Sequence, residues 1–433
     1  MKHPIFFVLS LALSAMMLYS CGKEDNSGIY GPVDSNKLYI VSPVTYTGFP
    51  GETFTPSLTQ YTGAQRSDYD LGANPDHITM SSSNSSVADV GAAGTVTLKA
   101  PGECKINFKD AKDKQIASIS VTVNREIVLP SSECWDKNEL SEGLLYYTFK
   151  GEKGKSSNGL AYDPVTDAYQ VVNVVSLDLN NSRYQFKFHY GRDTTSRVLA
   201  TTKQAVVTMN ATYEQASIFA RVDNNDCCTM KSSTISSTGV PNWKNEGCVT
   251  TDGQRGVNFI YNDVYVKDPT DEDIQKQRDF FNKIQSPNIF SSAPVLIHDY
   301  EPLGSSYIIR MGYDGKQSIS SFNSEHPVNH QGVRHPRSVV ALTADNRLLL
   351  FTVDGRTTYS SGMNADEITR FLVKHFDPKF ALNMDGGGST TMCVLGYGQA
   401  GTNVVNYPTD NGGHNHFGQR TVPTHFIIID TQK

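Results

Sequence analysis

An acidic residue, three glycines and three hydroxyl-bearing residues follow one another in the segment with the clearest potential for chemistry. The segment covers residues 380–392 and reads Phe-Ala-Leu-Asn-Met-Asp-Gly-Gly-Gly-Ser-Thr-Thr-Met. An apolar strand delivers the acid to its end, and the glycines let the backbone approach a ligand closely. Amides of such a turn can converge on an anionic oxygen. We therefore predict a ligand-binding turn made of Asp385, Gly386, Gly387, Gly388, Ser389, Thr390 and Thr391.

A plain hairpin connection is the simpler interpretation of the same segment. A two-residue turn would be enough for that purpose, and a glycine-rich loop behind a strand-end acid favours function. The segment has no Gly-Lys-Ser or Gly-Lys-Thr ending. It is therefore not a nucleotide-binding P-loop.

Two arginines stand at the edges of predicted strands upstream of this turn. Arg337 lies in His-Pro-Arg-Ser, and Arg356 closes the Asp-Gly-Arg segment that begins at Asp354. Guanidinium forks suit phosphate oxygens and stay charged. Asp-Gly is also a common turn pair, so the second segment alone would indicate only a surface turn.

The elements that must position these residues are mostly strands. Alternating and continuous apolar runs predict strands at residues 294–297, 307–311, 338–343, 348–353 and 380–384. Two helices are predicted, at residues 271–284 after the cap Thr270 and at residues 365–376 after the cap Asn364. Many strands with few helices predict an α+β domain around a large mixed β-sheet over residues 134–433.

A separate small domain is predicted ahead of this one. Residues 37–124 read as short strands broken by turn residues, which is typical of an all-β sandwich. Residues 82–108 resemble the group 2 bacterial immunoglobulin-like domain at Asn84, Val87, Ala88, Val90, Gly94, Val96, Gly102 and Ile106. The resemblance implies a spacer or adhesion unit without chemistry, and residues 125–133 are predicted to be a linker.

Together, the arginine segments, the helix at 365–376 and the glycine turn resemble the phosphodiester glycosidase family, which includes the lysosomal uncovering-type alpha-N-acetylglucosaminidase. The resemblance covers residues 134–433 and is tightest over residues 335–393. Residues 205–214 resemble a family strand that ends in Asn-Gly, which implies that Asn210 lies at the site; Ala211 replaces the glycine. Residues 404–421 resemble the closing segment with Arg420 matched, whereas His414 and His416 match nothing there.

The resemblance implies hydrolysis of the bond between a sugar's anomeric carbon and a phosphodiester oxygen. The leaving phosphate monoester is a stable anion, so it needs charge stabilisation, which Arg337 and Arg356 could supply. A glycosidase usually sets two carboxylates about the anomeric carbon. We expect Asp385 as base or nucleophile and Asp354 as its partner or acid, with Glu214 and Glu301 as further candidates.

Sugar contacts are expected from Asn210, Ser389, Thr390 and His416, and no cofactor is expected. His414 and His416 alternate as in a metal-binding strand, but Gly412 and Gly413 favour a polar loop. No metal site is therefore predicted.

The first residues predict export and a lipid anchor. A cationic start and an apolar run give a signal peptide at residues 1–20, too short to span a membrane. Leu-Tyr-Ser-Cys resembles a bacterial lipobox, so Cys21 is the predicted anchor and residues 21–36 a tether. The resulting localisation is the cell envelope, as an outer-membrane lipoprotein exposed at the surface. An ordinary signal peptide cut near a bystander Cys21 is the alternative.

Charge and cysteine content narrow the partners. The 433 residues include 38 basic and 44 acidic ones, for a net charge of -6 without a basic run, so no nucleic acid is expected. The expected partners are a glycan or sugar-phosphate substrate and the membrane. Of seven cysteines, Cys248 could pair with Cys227 or Cys228 in an oxidising compartment. Their spacing fits no standard zinc pattern.

Two functional hypotheses follow from these patterns. The first is an envelope enzyme that hydrolyses sugar-1-phosphodiester linkages of the alpha-N-acetylglucosaminyl-phosphate type in glycans. The second is a non-catalytic surface lipoprotein for glycan binding or adhesion, favoured by the sandwich domain and by the altered Asn210 segment. The arginines near carboxylates favour the first, because sugar binding alone has less need for them.

Overall fold

The computed structural model describes residues 29–30, 37–156, 159–214, 216–235 and 238–433. It divides into two compact units, Met1–Glu126 and Ile127–Lys433, and the division falls inside the predicted linker. The predicted signal peptide, Cys21 and all of the tether except residues 29–30 lie outside the described residues.

The described residues of the N-terminal unit form short strands in three small sheets around one apolar core. The core includes Tyr39, Val41, Ile106, Phe108 and Ile119, each at most 1% exposed. The first sheet has the order Ile29–Tyr30, Lys37–Ser42, Ser57–Thr62 and Gln65–Tyr69; the second Thr45–Gly48, Gln115–Val123, Gly102–Lys109 and Thr79–Ser82; the third Thr53–Phe54, Val96–Leu98 and Ala88–Val90. The predicted all-β character is therefore present, and the immunoglobulin-like assignment stays a prediction.

The largest sheet of the C-terminal unit, which we call the main sheet, has seven strands. Their order is Trp135–Ser141, Leu144–Phe149, Val172–Asp178, Arg347–Val353, Arg337–Leu342, Phe380–Asn383 and Val295–His298. Every neighbouring pair is antiparallel, so the predicted mixed pairing is wrong. The helical crossover from Arg347–Val353 leads to Phe380–Asn383, but Arg337–Leu342 lies between these two strands and runs opposite to both.

Two smaller antiparallel sheets complete the frame of the C-terminal unit. The second sheet has the order Tyr184–Thr194, Thr421–Asp430, Ala205–Asn210 and Met392–Val394. The third sheet has the order Asn225–Thr229, Phe219–Val222, Asn288–Ser292, Gly247–Thr251 and Val257–Tyr261. Two-stranded pairs join Tyr162–Asp163 to Ala168–Tyr169 and Thr234–Ile235 to Val240–Pro241.

Helices are few among the described residues, as the sequence predicts. In that part of the chain the α-helices are Thr195–Thr201, Asp271–Lys283, Tyr307–Arg310, Pro327–Gly332 and Ala365–His375, and the 3₁₀ turns are Leu303–Ser306, Ile319–Ser321 and Gly387–Ser389. Both predicted helices are confirmed, with capping boxes at Thr270 and Asn364. The strand predicted at residues 307–311 is wrong, because β propensity is easily overridden by packing: Tyr307 is fully buried and packs on Trp243 as a helical turn.

No disulfide forms among the six described cysteines, which are all free thiols. Cys227 and Cys228 lie on a strand that two other strands separate from the strand of Cys248. Three strand spacings amount to about 14 Å, which exceeds the span of a disulfide. The predicted pairing is therefore wrong. Within the described part of the chain, no helix is long and apolar enough to cross a membrane.

Candidate active site

The register of the main sheet gathers three of the predicted site segments at one edge. Arg337, the first residue of its strand, is the partner of Val353, the last residue of the neighbouring strand. On the other side Val339 is the partner of Asn383, which ends its own strand. Arg337 and the segments that begin after Val353 and after Asn383 therefore lie next to one another at the same edge of the main sheet.

The glycine turn is held against the neighbouring segments by backbone hydrogen bonds. The amide of Asp385 donates to Ala211 O at 3.0 Å and that of Gly387 donates to Pro336 O at 2.8 Å. Gly387 has a φ of +62°, a left-handed conformation that favours glycine. The turn is thus a fixed element rather than a flexible hairpin connection.

Asn210 braces this turn from the second sheet. Its Nδ2 donates to the carbonyl of Asp385 at 2.7 Å, while its Oδ1 accepts from Ser338 Oγ at 2.7 Å and from the amide of Thr391 at 3.0 Å. Asn210 is fully buried, so these bonds satisfy its amide without a ligand. This corrects the expectation that Asn210 contacts a sugar: it positions the backbone that carries Asp385.

A cavity of about 450 Å³ opens above the glycine turn. Its lining carries four basic side chains, three acidic side chains, two histidines and one tyrosine. The lining residues are Tyr213, Glu214, Ser217, Ile235, Lys244, Ser324, Glu325, His330, His335, Arg337, Arg356, Asp385, Gly386, Gly387, Gly388 and Arg420. The cavity therefore brings together several of the predicted site residues: Glu214, Arg337, Arg356, Asp385 and the three glycines.

Asp385, the first residue of the turn, is the acid that lines the cavity beside the three glycines. Burial raises the pKa of Asp385 to about 6, while a hydrogen bond from Ser389 and the charges of Lys244 and Arg420 act in the opposite direction. A carboxyl group that titrates near neutral pH can serve as base, acid or nucleophile.

Two arginines cover the glycine turn with their guanidinium groups. A Cβ atom on Gly387 would lie 3.0 Å from Arg356 Nη2, and one on Gly388 would collide with the guanidinium of Arg420 and the carboxylate of Asp410. Arg420 is ion-paired with Asp410, and Arg356 Nε donates to His335 Nδ1 at 3.3 Å. Glycine is required here because the cations lie directly on the backbone.

Arg337 differs from these two in being almost completely buried, at 1% exposure. Its Nε donates to Met363 O at 2.9 Å, and its Nη2 donates to His330 O at 2.8 Å and Val333 O at 3.0 Å. Burial lowers the pKa of Arg337 to about 10, so it stays charged at neutral pH. Arg337 lines the cavity, and its Nε and Nη2 atoms are used in hydrogen bonds to backbone carbonyls.

Two charged residues of the cavity lining, Lys244 and Glu325, were not predicted from the sequence. Lys244 Nζ lies 3.1 Å from Glu325 Oε2 and 4.7 Å from the ring centre of Tyr213. Burial and the nearby Arg337 and Arg356 lower the pKa of His335 to about 3, so His335 is neutral and accepts from Arg356. His330 also lines the cavity.

Asp354 does not line the cavity. It is 2% exposed, and its oxygens accept from Asn406 Nδ2 and from the amide of Tyr407, both at 2.9 Å. Burial raises the pKa of Asp354 to about 7, and these two hydrogen bonds oppose the shift. This corrects the expected pairing with Asp385: Asp354 holds the segment that follows the second sheet's short strand.

The remaining predicted residues also lie outside the cavity lining. Ser389, Thr390 and Thr391 are at most 3% exposed, and Ser389 acts on Asp385 through a hydrogen bond. His416 Nδ1 lies 2.6 Å from Asn406 O. Glu301 is exposed and pairs in a bridge with His298, at the far end of the Val295–His298 strand. The expected direct sugar contacts of Thr390 and His416 therefore have no support in the structure.

Lys244 and Glu325 could not be found from motifs, because neither belongs to a patterned segment. Arg420 carried a signal only through the resemblance of residues 404–421. Among the described residues, no group of three or more His, Cys, Asp or Glu side chains is arranged to hold a metal ion.

The fold and the cavity define a β-rich protein with a cation-lined pocket around an acid on a glycine turn. A family model for phosphodiester glycosidases matches residues 200–429, more than half of the chain. The chain belongs to the phosphodiester glycosidase family.

The solved structures that match this chain are distant from it in sequence. The catalytic domain of zebrafish N-acetylglucosamine-1-phosphodiester alpha-N-acetylglucosaminidase, auto-inhibited by its pro-peptide, has 16% identity over 70% of this chain and 87% of that one, with a TM-score of 0.41. A hypothetical protein from Synechocystis has 11% identity over 93% of this chain and 79% of its own, with a TM-score of 0.43. A putative exported protein from Burkholderia pseudomallei has 12% identity over 71% of this chain and 100% of its own, with a TM-score of 0.41. No curated protein gives a significant match.

Proposed function

We propose that this protein hydrolyses sugar-1-phosphodiester linkages in glycans, and that the cavity above the glycine turn is where it does so. The observation that carries the proposal is the placement of Asp385, with a pKa of about 6, among Arg356, Arg420 and Lys244. A phosphodiester brings one negative charge and releases a monoester with more, so clustered cations favour the departing group. Family membership supports the same chemistry.

The reaction divides between Asp385 and the cations. Asp385, in its ionised form, either takes a proton from the attacking water or attacks the anomeric carbon itself. The bond between that carbon and the phosphate oxygen breaks, and its electron pair stays on the phosphate. Arg356 and Arg420, whose guanidinium groups lie on the turn, stabilise that charge. Water supplies the oxygen of the released sugar hydroxyl.

Glu325 is the stronger candidate for the second carboxylate. Its side chain is 33% exposed and held by Lys244, whereas Glu214 is 61% exposed and held by Arg192 at 2.6 Å. Glu325 is therefore the more enclosed of the two carboxylates that line the cavity besides Asp385. Asp354 then acts as a positioning residue rather than as the acid.

The substrate type and the location belong to the same proposal. We propose a linkage of the alpha-N-acetylglucosaminyl-phosphate type, and a lipid anchor at Cys21 in the bacterial envelope, on the basis of the sequence resemblances alone. Membrane fractionation tests the anchor: the full-length chain should sediment with membranes and Cys21→Ala should not. Equal sedimentation of both would contradict the anchor.

The activity is tested by incubating the purified protein with a panel of sugar-1-phosphodiesters that differ in the sugar. Free sugar and the matching phosphate monoester should appear in equal amounts for at least one substrate. A matched panel of ordinary glycosides, which lack the phosphate, should give no release. If no phosphodiester is cleaved while glycans bind measurably, the non-catalytic binding hypothesis is the correct one.

A further inference from the structure

Four aromatic rings stack on one another in the loops that follow Arg356 and precede Arg420. Tyr359 and His414 have ring centres 4.2 Å apart with planes 13° from parallel, and His414 and Tyr407 are at 3.9 Å and 12°. His416 lies on Tyr407 at 4.3 Å and 28°. We call these four residues the aromatic stack.

The aromatic stack is fixed to the same segments that carry the cavity cations. Tyr359 sits in a turn closed by Thr357 and Ser360, directly after Arg356. The amide of Tyr407 donates to Asp354. Arg356 and Arg420, which flank these loops in the chain, line the cavity, whereas the four stacked residues are not part of its lining. The aromatic stack therefore lies beside the cavity and not inside it.

One end of the stack faces solvent. Tyr359 is 47% exposed although His414 covers one of its faces. Burial and His416 lower the pKa of His414, so the ring beneath Tyr359 is uncharged at neutral pH. The loop also carries the side-chain amides of Asn411 and Asn415, which bond each other at 2.9 Å at the surface. An exposed ring face next to surface amides suits a ligand with an apolar face and a rim of hydroxyl groups, as a pyranose has.

We infer that the exposed Tyr359 end of the aromatic stack is a subsite for a sugar ring on the far side of the scissile phosphate. This inference rests on the proposed function, which puts the scissile sugar and the phosphate in the 450 Å³ cavity. The glycan that carries the phosphate then continues over Arg356 and Arg420 toward Tyr359. His414 and His416 match nothing in the family resemblance, so the subsite would be a property of this chain.

The test compares two phosphodiesters with the same scissile sugar, one with a methyl aglycone and one with an oligosaccharide aglycone. In Tyr359→Ala, KM for the oligosaccharide substrate should rise about three- to tenfold relative to KM for the methyl substrate, which is the usual worth of an aromatic contact. Tyr359→Phe keeps the ring and should leave the ratio unchanged. Phe49→Ala, which removes another exposed aromatic side chain, is the matched control.

An unchanged KM ratio in Tyr359→Ala, with an unchanged melting temperature, would overturn the subsite. A third phosphodiester with a nucleoside aglycone is assayed alongside: if KM in Tyr359→Ala rises only for that substrate, the sugar subsite is overturned in favour of base stacking. Binding of the oligosaccharide phosphate monoester, measured by calorimetry, separates this failure from that of the proposed function. If nothing is cleaved but Tyr359→Ala weakens that binding, the subsite stands and the enzyme proposal falls.

Discussion

Two opposed influences set the pKa of the Asp385 carboxyl group. Burial raises its pKa to about 6, and the hydrogen bond from Ser389 holds that value down. As base or nucleophile, Asp385 must be ionised. The activity should therefore be present above its pKa and lost as the pH falls through about 6.

Ser389→Ala tests this balance. Without the hydrogen bond the pKa of Asp385 rises, so the acidic limb of the kcat/KM profile should move to higher pH. The measurement is kcat/KM between pH 4 and 8 for both proteins. A limb that stays in place, or moves to lower pH, would exclude Asp385 as the group that titrates.

Asp354→Ala should act on stability. It leaves the amide of Tyr407 and Nδ2 of Asn406 without their buried acceptor, which costs about 3 kcal/mol in the free energy of unfolding. Urea unfolding at pH 8 measures this loss. Asp366→Ala, which breaks an exposed pair with Arg370, is the control and should change little. Equal effects of the two substitutions would contradict the positioning role of Asp354.

The site residues that could be predicted from the sequence are those that belong to a motif. Asp385, Arg356 and the glycines could be predicted because the residue types themselves carry the chemistry. Lys244 and Glu325 could not, since only folding brings residues 244 and 325 to the same wall. Asp354 was assigned to the wrong role because a strand-end position does not tell in which direction a side chain points.

The glycine turn is the element on which the site depends. A Cβ on Gly388 would displace the ends of Arg420 and Asp410 but would meet no backbone within the three nearest contacts. Substitution there should disturb the cations more than the fold.

Gly388→Ala should lower kcat/KM by about 10²-fold, the usual cost of a displacement of about 1 Å in a catalytic group. Its melting temperature should stay near that of the parent protein. Gly91→Ala, where a Cβ would meet only Thr95 O at 3.5 Å, is the control. Full activity of Gly388→Ala would show that Arg420 does not act on the turn.

The helix Ala365–His375 docks on the main sheet through a buried histidine. Trp135 Nε1 donates to His375 Nδ1 at 3.2 Å, and burial lowers the pKa of His375 to about 4. Its unfolded pKa is near 6.5, so the neutral form stabilises the fold fully above pH 6.5. That stability is lost as the pH falls from 6.5 to 4.

His375→Gln should remove this dependence. The loss between pH 7 and 4 amounts to about 3 kcal/mol for a shift of this size. Urea midpoints at both pH values, for parent and variant, isolate this contribution from those of the other histidines. Identical pH dependence in the two proteins would contradict the role of His375.

Helices and strands were predicted correctly where the sequence carries strong local signals. Predictions that depend on the order of strands in a sheet or on tertiary packing were wrong. The caps Thr270 and Asn364 fixed two helices, and apolar runs fixed the main-sheet strands. The helical turn at Tyr307–Arg310 and the separation of Cys248 from Cys227 and Cys228 depend on tertiary packing. No local pattern in the sequence carries that information.

At the scale of the whole molecule, the two units have separate cores, and the candidate active site belongs to one of them. All residues that line the candidate active site belong to Ile127–Lys433. A chain of residues 127–433 should therefore fold and retain the kcat/KM of the full protein on a methyl phosphodiester. Cooperative thermal unfolding and the kinetics of the shortened chain test this, and a folded but inactive chain would assign the N-terminal unit a part in the site.

The most direct test of the account is Asp385→Asn, assayed for release of sugar from a phosphodiester that the parent protein cleaves. We predict that release is abolished, while the variant keeps the parent's melting temperature and still binds the uncleaved substrate. Undiminished release by a folded Asp385→Asn protein would contradict the account, because the cation-lined cavity would then not be the place where the bond is broken.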